Sequence, residues 1–210
     1  MVLWTPRKSE SARLLVECIN SLGGTAKLVH GQRPTGSIAW GRKVNKYIEL
    51  QRLAAAGVPV PAHSLVKQPG WYARRLRHHE ANDLLAELTK GDYYVEPVAT
   101  THEFRIHIWD GKSIRAGIKV PRTEAPHLKF RSWSAGWKLD YGQECQRLMR
   151  QELRDVSAAA VKAVGYAYGA VDLAIREDKK LVVWEVNSAP GLEGRTVEVY
   201  ARKFIETYGG

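Results

Sequence analysis

The run Ala170-Val-Asp-Leu-Ala-Ile-Arg-Glu-Asp-Lys-Lys-Leu-Val-Val-Trp-Glu-Val-Asn187 constrains this chain more than any other segment. Two strand-like stretches flank a polar turn, so it reads as a β-hairpin. An even-numbered loop centred between Asp178 and Lys179 sets Asp172 directly opposite Glu185, and the two-residue strand period puts Asn187 on the same face. The other face then reads Val171, Leu173, Ile175, Val182, Trp184 and Val186, all apolar. Ala170 and Ala174 flank Asp172 and leave room above it. One face is therefore core and the other a pocket floor. Two carboxylates and an amide offer hard oxygen donors without nitrogen or sulfur, which suits Mg²⁺ completed by phosphate oxygens. Carboxylates decorating a solvated sheet face are the other reading of this pattern.

A second hairpin, Phe104 to Val120, turns at Asp110-Gly111-Lys112. A three-residue loop aligns Phe104, Ile106 and Ile108 with Ile114, Ala116 and Ile118, whereas a two-residue Asp-Gly loop mixes charged and apolar side chains on both faces. The hydrophobic pattern selects the longer loop. The opposite face then carries Glu103, Arg105, His107, Arg115 and Lys119, a cationic wall able to face the metal floor and hold phosphate.

Charge agrees with an anionic partner. Lys plus Arg number 32 against 22 Asp plus Glu, a formal charge of +10. The excess is concentrated before residue 47, where Arg7, Lys8, Arg13, Lys27, Arg33, Arg42, Lys43 and Lys46 face only Glu10 and Glu17. Nucleotide phosphates, nucleic acid and acidic peptides all fit such a balance. Cys18 and Cys145 stand in no CxxC pair, so a disulfide framework or Cys-rich zinc site is excluded and a cytoplasmic setting expected. No stretch approaches a membrane span, and the N-terminus does not read as an export signal.

Along the chain, strand and helix patterns alternate without internal repeats, which predicts an α/β or α+β protein. Val2 to Thr5 reads as a strand, followed by a helix capped by Ser9 or Ser11 and stopped at Gly23-Gly24. Strands are expected at Ala26 to His30 and Ser37 to Trp40. A helix over Lys46 to Ala56 ends at Gly57 and Val58-Pro59-Val60-Pro61. Strands at His63 to Lys67, Trp71 to Leu76 and Tyr93 to Glu96 enclose a helix from Ala81. A polar loop is expected over Pro121 to Gly142, one long helix over about Gln143 to Val164, and a closing helix from Val197 to Tyr208.

Gly169-Ala-Val-Asp172 and Glu185-Val-Asn-Ser-Ala-Pro-Gly-Leu-Glu-Gly194 resemble the ATP-grasp ligases, most of all the RimK-like glutamate ligases and short phage-encoded relatives. The resemblance extends to Asn45-Lys46, Ala56-Gly-Val-Pro-Val-Pro61, Tyr94-Val-Glu-Pro97, Glu103-Phe-Arg105, Ile118-Lys119 and Lys129-Phe-Arg131, over roughly residues 44 to 208. The fold it implies is α+β, with a shortened N-terminal α/β segment (1–43), a small lid region (44–98) and a larger C-terminal antiparallel-sheet region (99–210).

The resemblance further implies ATP and two Mg²⁺ ions, the metal held by Asp172, Glu185 and Asn187. Lys46, Arg74, Glu96, Val98 and Glu103 would bind the nucleotide, with the hinge at Glu96 to Val98 on adenine. Arg105, Lys119 and Arg131 would act on the transferred phosphate. The implied reaction activates a carboxylate as an acyl phosphate, which an amine captures as an amide. Partners are then a peptide, protein or amino-acid carboxylate and an amine. From its charge and place after Gly194, Arg195 is assigned to an acidic substrate. The sequence departs from the family where Arg77-His-His-Glu-Ala-Asn82 replaces a glycine-rich phosphate loop, and where Ser132-Trp133-Ser134 stands in place of an expected Asn.

Other readings are a nucleic-acid-binding protein with a residual ATP site and an ATP-grasp kinase or pseudoenzyme. The seven tryptophans could stack bases, although Trp184 is expected on the core face and Trp4 in the first strand. His102-Glu103-Phe-Arg-Ile-His107 has one residue too many for a zinc-protease helix and lies on a strand. Neither GxxxxGK[ST] nor GxGxxG occurs, which removes P-loop and Rossmann readings.

Overall fold

The computed structural model describes residues 1–42, 45–76, 88–127 and 129–209. Lys43, the lid residues Arg77, His78 and His79, and the helix expected from Ala81 lie outside the described residues.

The chain opens with β1 (Val2–Thr5), α1 (Glu10–Ser21), β2 (Lys27–His30) and β3 (Ile38–Ala39), forming a parallel sheet in the order β2-β1-β3. The Ser9 hydroxyl accepts the Ala12 amide and starts α1. The helix ends where Gly23, at φ +86°, turns back through a Gly24 N–H bond to the Ile19 carbonyl. Its buried stripe is Ala12, Leu15, Val16 and Ile19.

Asn45 caps α2 (Lys46–Ala55) by accepting the amides of Tyr47 and Ile48. A small antiparallel sheet follows, ordered β4 (His63–Ser64), β6 (Tyr93–Val95), β5 (Tyr72–Arg74). The large antiparallel sheet comprises β7 (Thr100–Trp109), β8 (Lys112–Pro121), β9 (Trp137–Asp140), β10 (Tyr168–Arg176) and β11 (Leu181–Asn187), ordered β11-β10-β7-β8-β9. The remaining helices among the described residues are α3 (Gln143–Leu148), α4 (Gln151–Ala163) and α5 (Arg195–Tyr208).

One face of the large sheet is apolar. Phe104, Ile106, Ile108, Val171, Leu173 and Val183 pack there against Leu153 and Val161 of α4 and Leu53 of α2. Leu50, one turn earlier on α2, instead joins Tyr93 and Val95 of the small sheet. The helix carrying Lys46 thus bridges both sheets. At the far end of the large sheet, α1 and α5 pack with Trp40, Trp109 and Tyr168. Trp109 and Tyr168 stack at 4.9 Å there, in register on β7 and β10. No helix among the described residues is long and apolar enough to cross a membrane.

Both hairpins reach the expected register near the charged residues by a different route. In β10–β11 the Arg176 amide donates to Lys180, so the loop is the odd-numbered Glu177-Asp178-Lys179, with Lys179 at φ +69°. Leu173 accordingly pairs with Val183, and a β-bulge restores the Asp172–Glu185 alignment. Leu181 and Val183, not Val182 and Trp184, therefore share the core cluster with Leu173, and Trp184 is the extra residue of the bulge. In β7–β8 the loop is the two-residue Asp110-Gly111, both at positive φ, as a type I′ turn requires. A bulge next to Ile108 then restores the Arg105–Gly117 alignment. It sends Ile114 to the Trp109 cluster rather than beneath Ile108. The expected loop was wrong in each hairpin because a bulge and a one-residue change of loop length cancel in register.

Two more expectations are corrected. The long helix is two helices, broken at Met149 and Arg150, which are extended. Neither Pro nor Gly marks the break; it lets Cys145 of α3 reach the Ala116 carbonyl of β8 while α4 lies under the sheet. The polar loop contains β9, an edge strand whose Leu139 pairs with Lys119.

Candidate active site

The charged face of the large sheet is built by strand register. Asp172 on β10 lies between Arg105 on β7 and Glu185 on β11. Asn187 is two residues beyond Glu185, and Glu103 is two residues from Arg105 on the strand period. Lys119 comes from β8, Arg131 from the β8–β9 connection and Lys46 from the start of α2. The Lys46 amide donates to the Leu76 carbonyl, two residues beyond Arg74, tying the helix start to the end of the small sheet.

Here carboxylates and cations alternate. Arg105 donates Nε and Nη2 to the two oxygens of Asp172, both at 2.7 Å. Lys119 Nζ donates to Glu103 at 3.1 Å, and the Arg131 guanidinium is 4.0 Å from the same carboxylate. Arg131 is fixed by bonds to the Thr100 and Thr101 carbonyls and by the Trp137 ring. Lys46 Nζ lies 3.1 Å from Glu185 and 3.2 Å from Glu49. Asn187 Nδ2 donates to the other Glu185 oxygen at 2.9 Å. Four carboxylates, Glu49, Glu103, Asp172 and Glu185, thus face Lys46, Arg105, Lys119 and Arg131.

Burial and pairing set the charge states. Burial raises the Asp172 carboxyl, but Arg105 together with Lys119 more than offsets it and holds the group below the ordinary range. Burial works against charge on Arg105 and Lys46, yet Asp172 for the former and Glu185 for the latter raise both. Glu49 is pushed up, mainly by burial.

The donor set fits a hard divalent cation. Asp172, Glu185 and Asn187 converge from adjacent strands and can offer oxygens as ligands. Among the described residues the acidic groups are not gathered into a cluster of three; a cation stands between them. The same cations are suited to phosphate oxygens.

Two members of the expected cationic wall behave otherwise. Arg115 stacks over Tyr141 at 4.0 Å. His107 is fully buried, 3.1 Å through Nδ1 from the Tyr200 hydroxyl, which donates to the Gly169 carbonyl. The tautomer satisfying these bonds protonates Nδ1 and leaves Nε2, which has no partner among the described residues, as a bare lone pair. Burial first, then Arg105, depresses this histidine to about 3. His107 is therefore neutral and structural. The unfolded chain binds a proton near pH 6.5 that the folded chain refuses until about pH 3, so this stability is present above 6.5 and lost as pH falls. Urea unfolding of the native chain should lose stability by about 1.4 kcal/mol per pH unit in excess of His107→Phe between these limits. Parallel slopes would refute the assignment.

The hinge forms a separate feature. Glu96 exchanges bonds with Ala62, its amide to the carbonyl and its side chain to the amide, both at 3.0 Å. Glu96, Pro97, Val98 and Ala99 face Arg176, Glu177 and Asp178 across a hollow of about 220 Å³, which contains none of the four carboxylates. Arg74 stands on β5 in register with Tyr93, and Arg195 is exposed at the start of α5. The pairings around Asp172 thus bring together Lys46, Glu103, Arg105, Lys119, Arg131, Glu185 and Asn187. Arg195 is not among them. Glu49 was not foreseen; its spacing from Lys46, three residues along a helix, is the signal that points to it.

No protein-family model matches the chain. It is 26% identical over 180 residues to a probable alpha-L-glutamate ligase of Legionella pneumophila, an alignment covering 75% of this chain. The chain spans only 59% of that relative's length. Among solved structures, the ATP-grasp ligase PsnB, complexed with minimal precursor, Mg and ADP, superposes with a TM-score of 0.69 at 14% identity, covering 98% of this chain and 96% of the other. D-alanine--D-alanine ligase of Bacillus anthracis gives a TM-score of 0.61 at 12% identity, covering 97% and 93%. With the large antiparallel sheet, the smaller sheet and the charged face between cations in view, these likenesses identify the chain as a protein of the ATP-grasp fold.

Proposed function

We propose that the chain is an ATP- and Mg²⁺-dependent, ADP-forming carboxylate–amine ligase. The observation that carries the reading is the alternation of four carboxylates with four cations around Asp172, with only oxygen donors facing from β10 and β11. Solved neighbours of the same fold include a ligase with a precursor, Mg and ADP, and a ligase named for joining D-alanine to D-alanine.

In this reading Asp172, Glu185 and Asn187 hold the metal, which when bound neutralises phosphate charge. Glu103 assists on the nucleotide side, where Lys46 and Arg74 grip phosphates and the main chain from Glu96 to Val98 meets adenine. A substrate carboxylate oxygen attacks the γ-phosphorus and the bond to the β-phosphate oxygen breaks, releasing ADP. Arg105, Lys119 and Arg131 bear the charge of the transferred phosphoryl group, a task of positioning and electrostatics that needs no protein nucleophile. An amine then attacks the acyl carbon, phosphate leaves, and an amide remains. The carboxylate belongs to an amino acid or peptide, with exposed Arg195 as its outer contact. Residues 1–43, 44–98 and 99–210 would serve as N-terminal segment, lid region and catalytic region.

The test is ADP release with ATP, Mg²⁺ and a panel of amino acids and peptides, with product masses measured. The expected product weighs the sum of carboxylate and amine less one water. Phosphorylation without an amide, or no nucleotide uptake by calorimetry with Mg²⁺ present, would overturn the reading.

A further inference from the structure

Glu49 is a buried carboxylate with no role in the scheme above. Its side chain is 1% exposed, and its Oε2 has no hydrogen-bond partner among the described residues. Oε1 accepts both Lys46 Nζ at 3.2 Å and the Val186 amide at 3.1 Å. The second bond explains the burial: β11 is an edge strand, and an amide facing away from β10 needs an acceptor from outside the sheet. Glu49 thereby locks the turn of α2 that carries Lys46 to the strand that carries Glu185 and Asn187.

Lys46 is shared. Glu185 presents one oxygen to it and the other to Asn187, so both oxygens are engaged. For Glu185 to serve a cation, the ammonium must give up its hold there and still keep a counter-charge in a partly buried place. Glu49, fixed by the Val186 amide, supplies the second counter-charge.

We propose that Glu49 is a positioning residue that retains Lys46 when Glu185 turns to the divalent cation, and so sets how readily the site takes up Mg²⁺. The inference rests on the ligase reading only in assigning Glu185 to the metal. With Glu49 neutral, Lys46 pairs with Glu185 alone and competes with the cation, while the net positive charge offered to phosphates rises.

The experiment is ADP binding by calorimetry, without Mg²⁺ and across a Mg²⁺ titration, for the native chain, Glu49→Gln, Lys46→Met and the double variant. Glu49→Gln keeps an acceptor for the Val186 amide and removes the charge. It should raise the Mg²⁺ concentration for half-maximal tightening of ADP by about tenfold, with Mg²⁺-free ADP affinity equal or higher. In the Lys46→Met background the same change should have no effect on Mg²⁺ demand. A Mg²⁺ midpoint moved by less than about twofold, or a shift that persists without Lys46, overturns the proposal. A purely structural role lowers the melting temperature and leaves the midpoint in place. Should Glu49→Gln not fold, Glu49→Asp keeps the charge at shorter reach and should raise the midpoint about threefold, no change again overturning the proposal. A native chain that binds no ADP under any condition refutes the ligase reading instead.

Discussion

Glu185→Gln is expected to reduce substrate-dependent ADP release by about a thousandfold or more. The substitution preserves shape and the oxygen that accepts from Asn187, but removes a charge from the oxygen set formed with Asp172. It should hardly touch the fold. The side chain is 21% exposed, and Lys46 retains Glu49 as its counter-charge. Metal-free nucleotide affinity should stay level or rise, since one negative charge facing the phosphates is lost. The measurements are steady-state ADP release at saturating Mg²⁺ and nucleotide calorimetry without it. Activity within about tenfold of the native chain would remove Glu185 from the metal set.

Arg105→Met should lower stability by about 3 kcal/mol, because it leaves Asp172 as an unpaired carboxylate beneath the sheet face. For a chain of this length that corresponds to a fall in melting temperature of about 6–12 °C. Arg105 is itself 23% exposed and Asp172 9%, so the loss should lie at the lower end of the range for a buried pair. The double variant Arg105→Met, Asp172→Leu should recover most of that loss while remaining inactive, since two apolar side chains leave no orphan charge. Thermal melts of the three variants decide this. If Arg105→Met melted with the native chain, the bidentate pair would contribute nothing to the fold. If the double variant stayed as unstable as the single one, the cost would be packing rather than charge. An acid titration of the native chain should also lose stability as pH falls through the depressed Asp172 value, in the same direction as His107.

Legibility in the sequence followed the range of the interaction involved. The β10–β11 face was readable because alternation is a local property, and Asp172, Glu185 and Asn187 lie within one hairpin. Its loop differs from the expected one: counting residues cannot separate an even loop from an odd loop followed by a bulge, and the two differ in which of Leu181, Val182, Val183 and Trp184 face the core. His107 stood on the expected face of β7, yet α5 covers it through Tyr200, a contact between residues 93 positions apart. The local sequence cannot show the second partner of Glu49, because that amide belongs to Val186, 137 positions away.

The amino-acid order alone determined which strands are amphipathic, roughly where α1 and α2 end, and that three oxygen donors share one face near the end of the chain. These follow from backbone periodicity and side chains acting within a few residues of themselves. Only the tertiary structure decided which carboxylate meets which cation, that His107 is sealed and neutral, and that Lys46 is divided between Glu49 and Glu185. Such pairings depend on strands and helices distant in sequence being pressed together out of water, where a charge must find its partner wherever the packing has placed one.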